Sequence, residues 1–70
     1  LMDTAFHVGQ LVMVKEDPDV FPFCGEIARV SVLDVPCMDG IGMEVVSDHL
    51  GRFKGTYEQF EPIPEIKGRH

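Results

Sequence analysis

Leu11-Val12-Met13-Val14 is the first of several short apolar runs, rich in β-branched residues, that are cut off by glycine, proline or acidic turns before reaching the length of an ordinary helix. That punctuation points to extended structure. With 70 residues there is room for a single domain and a single hydrophobic core. Such a chain buries roughly 60% of the surface of its unfolded form, and its core supplies only about 3–5 kcal/mol net unless something staples it. Stability is therefore expected to be modest, or shared with a partner. Hydrophobic residues make up 44% of the sequence, too many for an intrinsically disordered chain.

Residues 1–6 read as an N-terminal arm, 7–66 as the domain and 67–70 as a polar tail. Val8-Gly9-Gln10 introduces a first strand, Leu11 to Lys15, with Leu11 and Met13 on one face and Val12 and Val14 on the other. Both faces are apolar, so a period of two leaves open which one points inward. Glu16 to Phe23 holds two prolines and three acids and reads as a loop. In the next run, Cys24 to Val32, the even positions Ala28, Val30 and Val32 are expected to be buried. Leu33 to Gly40 is broken by Pro36 and closed by Asp39-Gly40, a strong hairpin signal between antiparallel strands. A third strand is expected over Ile41 to Val46, with Met43 and Val45 alternating against Glu44 and Val46, and a fourth over Arg52 to Thr56. Tyr57 to Phe60 reads as one helical or 3-10 turn, and Glu61 to Ile66 as an edge segment, where Pro62 and Pro64 do least harm. The expected core combines Val12 or Leu11, Val14 or Met13, and Ile27 or Val30 with Val45, Phe53 and Ile63.

Strands in this spacing, with a long loop after the first and a one-turn helix before the last, follow the sequence grammar of an SH3-like barrel. The opening VGQLVMVKE is similar to the segment that begins Tudor and KOW modules and the type II, trimethoprim-insensitive dihydrofolate reductases. The closing KGTYEQFEPI resembles their last turn and strand and, with the central CGEIARV, extends the resemblance over residues 6–66. It implies an all-β domain, a small five-stranded SH3-like barrel with a short 3-10 turn before the last strand. Fold alone does not assign function.

The Tudor resemblance directs attention to rings and acids in neighbouring loops. Asp17, Asp19, Phe21, Phe23, Asp48, Phe53 and Tyr57 are the candidate ligand-binding residues. Rings around a methyl-ammonium group each contribute about 0.5–2 kcal/mol, and nearby carboxylates strengthen the attraction. The competing role for the same rings is core packing, with Phe21 and Phe23 plugging one end of the barrel. The reductase resemblance implies a tetramer whose shared pore binds folate and a nicotinamide cofactor through a Val-Gln-Ile-Tyr segment. In the matching stretch, Phe53-Lys54-Gly55-Thr56-Tyr57, only the tyrosine corresponds, so no catalytic residue and no cofactor is assigned. Cys24, Cys37, His7 and His49 have neither finger nor ribbon spacing, and the two thiols are expected to be reduced and partly buried, without a metal.

Twelve acidic against six basic residues give a net charge of −6, which disfavours nucleic acid and favours a basic protein or peptide partner. No run approaches a membrane span and the start lacks the pattern of a signal peptide, so a cytoplasmic location without membrane association is expected. The leading functional expectation is a non-enzymatic interaction or assembly module, with a reader of basic or methylated peptides and an enzyme with its site at an oligomer interface as alternatives. A homodimer is also expected. The first strand is apolar on both faces, Met38, Met43 and Leu50 add apolar surface, and Pro62 and Pro64 blunt the edge against open-ended strand addition.

Overall fold

The computed structural model describes residues 6–16, 23–38 and 40–65; the rest of the expected arm, most of the acidic loop, Asp39 and the tail lie outside these. Five strands follow one another as β1 (Leu11–Val14), β2 (Ile27–Cys37), β3 (Gly40–Ser47), β4 (Gly51–Thr56) and β5 (Phe60–Pro62), with a 3-10 turn at Tyr57–Gln59. They form one antiparallel sheet in the order β4-β3-β2-β1-β5. The all-β class, the hairpin between β2 and β3 and the turn before the last strand agree with the sequence reading. The hydrogen-bonded ladder stops at β4 on one side and β5 on the other, so among the described residues it does not close into a barrel.

Val12 and Val14 take the inward face of β1 and leave Leu11 and Met13 half-buried on the other. They join Ala28, Val30, Met43, Val45 and Phe60 in the core. Phe53 packs against this cluster while half-buried. Of the pair Ile27 or Val30 the core takes Val30, and Ile27 is 51% exposed. Two sequence expectations are corrected here. Met43, counted as possible apolar surface, is fully buried. Val32, placed with Ala28 and Val30 by parity, is 43% exposed.

The reason for the last correction is local. Between Val30 and Val32, and again between Leu33 and Val35, the pairing of β2 with β3 shifts by one residue. Each bulge adds an unpaired residue and turns the following side chains to the opposite face. Val32 therefore points outward beside Glu44, while Leu33 lies opposite buried Met43. Pro36 was expected to break the strand, yet it sits within β2 opposite Ile41. It lies beyond Ile27–Arg29, where β2 pairs with β1, so its missing N–H removes no bond from that ladder.

β5 begins one residue earlier than expected, because the turn ends quickly. Gln59 Oε1 accepts a hydrogen bond from the Thr56 N–H at 3.1 Å, and the Phe60 N–H donates to the Tyr57 carbonyl. Phe60 thus starts an edge strand opposite Val14 and directs its ring inward. That ring reaches β4, the other edge. A Cβ added at Gly55 would lie 3.0 Å from it, so glycine makes room for the contact.

Two mutational outcomes follow from this packing. Val30→Asp should abolish folding, since an unpaired buried carboxylate costs several kcal/mol, whereas Val32→Asp should cost about 1 kcal/mol or less. Equal urea midpoints for the two variants would contradict the bulge. Phe60→Ala should cost about 3–5 kcal/mol, comparable with the whole stability of a domain this small, and leave no cooperative thermal transition in circular dichroism.

Candidate functional site

Three surface features carry side chains capable of recognition, and the first is the outward face of the sheet. Cross-strand pairing sets Leu11, Arg29, Val46 and Arg52 in one row across four strands. A second row holds Val32, Glu44 and Lys54, and a third holds Glu61, Met13 and Ile27. Arg29 bridges the face, donating to the Gly9 carbonyl at 2.9 Å and pairing with Glu65 at 3.2 Å. Arg52 pairs with Glu44 at 2.6 Å. Between these charges Ile27, Val32 and Val46 remain exposed, Val46 by 39%.

The second feature is a shallow, open depression of about 320 Å³ lined by Gly25, Glu26, Ile27, Asp48 and His49. Glu26 is held there by the turn that follows Phe23, whose carbonyl accepts the Glu26 N–H at 3.0 Å. Its side chain is only 16% exposed and lies 3.3 Å from Nδ1 of His49, which stands almost wholly in water. Such a pair is worth little in stability. It leaves two carboxylates beside an open hollow, an arrangement that suits a cationic side chain and holds no nucleophile paired with a base.

The third lies where β2 meets the 3-10 turn. Asp34, in the second bulge, has φ +58°, the left-handed conformation usually left to glycine. Its N–H donates to the Tyr57 hydroxyl at 2.8 Å, and that hydroxyl donates to Asp34 Oδ1 at 2.6 Å. Tyr57 thereby holds the bulge in place from an element 23 residues away.

Of the seven sequence candidates, Asp17, Asp19 and Phe21 lie outside the described residues. Phe23 and Phe53 come together, stacked with centroids 4.6 Å apart and planes 18° from parallel. Tyr57 stacks instead on Phe6, at 6.0 Å and 10°. Phe23 and Phe53 are in face-to-face contact, which leaves no room for an ammonium group between them, and Tyr57 faces Phe6 instead of this pair. Asp48 lies in the depression beside His49. Cys24 and Cys37 are half-buried and form no disulfide, and the Cys37 thiol points at the Val35 carbonyl at 3.7 Å. Among the described residues no three His, Cys, Asp or Glu side chains converge in a way that could hold a metal ion.

The comparisons give no relative. No family model, no curated protein and no solved structure matches the chain. The sequence reading missed Asp34 and the outward row through Arg29 and Val46. Asp34 carried no signal, because an aspartate in a strand-like run does not announce a left-handed φ. The row did carry one: Ile27 and Val46 fall on the parity opposite the buried residues of their own strands.

Removing the tyrosine hydroxyl tests the Asp34 clasp. Tyr57→Phe should lower stability by about 1–2 kcal/mol, while Asp34→Gly, which relieves the backbone conformation as it deletes the carboxylate, should lower it much less. Equal shifts in urea midpoint would show that the hydroxyl does not support the left-handed residue.

Proposed function

We propose that this chain is a non-enzymatic protein-interaction or assembly module built on a small SH3-like barrel. The barrel reading rests on the strand order, the 3-10 turn before the last strand, the two bulges that bend β2, and Phe60 reaching from one sheet edge to Gly55 on the other. In this reading side chains, not a continuous ladder, complete the closure.

The observation that carries the interaction role is the outward sheet face, where Ile27, Val32 and Val46 stay in water although the chain has few apolar side chains to spare. Exposed apolar surface interleaved with arginine has the composition of a recognition surface. A second reading, a reader of basic peptides, is favoured by Glu26 and Asp48 at the depression next to the Phe23 turn. The stacked rings support it only as a site for a basic side chain, not as an aromatic cage.

Site-specific photocrosslinking in cells that make the full chain separates these readings. A benzophenone side chain at Val46 should form a covalent adduct with a protein, while the same group at Glu58 should form none. Adducts confined to position 49 would favour the peptide reader. If position 46 yields no protein adduct, the module reading fails.

A further inference from the structure

The outward sheet face is electrically balanced on a molecule that is not. Arg29, Arg52 and Lys54 stand there with Glu44, Glu61 and Glu65, three charges of each sign. The other described charges are Lys15 against Glu16, Glu26, Asp34, Asp48 and Glu58, and the whole chain carries −6. Two copies therefore repel one another in most orientations, and the repulsion is least where each presents its balanced face. That face is also where Ile27, Val32 and Val46 are exposed and Leu11 and Met13 only half-covered. A basic protein would be drawn instead to the acidic remainder of the surface, and an acidic one gains nothing from a face of zero net charge.

Resting on the interaction-module reading, we propose that the occupant of this face is a second copy of the same chain, docked face to face about a two-fold axis. A two-fold contact brings a surface against itself, so that surface must be self-complementary. Equal numbers of arginine or lysine and glutamate, set among apolar side chains, meet that condition: each basic group can find an acidic one across the axis while the valines and isoleucine lose water. Arg29 is central, since it stands between Leu11 and Val46 in its row and is already oriented by Gly9 and Glu65. Met38, fully exposed at the tip of the β2–β3 hairpin, is off this face and is not needed for the contact.

Sedimentation equilibrium of the full chain tests the proposal. Between about 10 μM and about 1 mM the weight-average mass should rise from 7.8 kDa towards twice that value. Because every substitution enters a two-fold interface twice, Val46→Glu and Ile27→Lys should each weaken association by about tenfold or more, whichever sign of charge is introduced. Both positions are exposed, so thermal melts should report a retained fold. Met38→Glu should leave association unchanged. A chain of 7.8 kDa at every concentration overturns the proposal, as does association that resists both face variants or is abolished by Met38→Glu. A monomer that still crosslinks another protein from position 46 overturns the second-copy proposal and leaves the module reading standing; a monomer with no adduct removes both.

Discussion

The contact between Phe60 and Gly55 joins the two edges of a sheet whose ladder does not. β5 and β4 are neighbours in sequence, separated only by Tyr57–Gln59, yet they stand at opposite ends of the strand order. The turn must carry the chain from one edge to the other within three residues, without reversing its sense, and the ring must then span the interior. Without a side chain at position 55 the aromatic ring settles against backbone and covers Val14, its partner on β1. The same turn is tied to β1 by the Lys15 N–H, which donates to the Gln59 carbonyl at 2.9 Å. Short reach, a small neighbour and one large ring together convert an open ladder into an enclosed core.

The second constraint is the pair of bulges in β2. An unbroken strand of 11 residues would carry its parity from Ala28 to the hairpin and bury Val32 and Asp34 together. The first bulge sends Val32 outward and Leu33 inward; the second resets the register again, at the cost of a left-handed aspartate that Tyr57 braces. What the outward face displays is thus decided by two inserted residues. The charges Glu44 and Lys54 meet Val32 across the strands only because Ser31 is unpaired.

Where local rules acted alone, the sequence was readable. Gly-bounded short runs located β1, β3 and β4 to within a residue, and the expected burial of Val45 identified the inward side of β3, although Met43 beside it was counted as surface. It failed where geometry depends on a distant partner. Nothing between Val30 and Val35 spells out a bulge, because the extra residues are defined against β3. Phe60 looked like part of a turn since its burial depends on Gly55. Of the candidate site, the ring pair Phe23 and Phe53 was named but its parallel stacking was not, for ring orientation is set by packing and not by residue spacing.

The two halves of β2 are held by different neighbours. From Ile27 to Arg29 the strand pairs with β1, with Arg29 also paired to β3, and Val30 still exchanges backbone bonds with Gly9 and Gln10. From Val32 to Cys37 its ladder is with β3. One continuous strand is therefore held in two ways: its root by β1, and its outer half by β3, by Leu33 against the core and by the Tyr57 hydroxyl on Asp34. Amide protons along this single element would then exchange on separate timescales, with the boundary at the first bulge. The outer half of a regular strand would then open more readily than the root from which it grows.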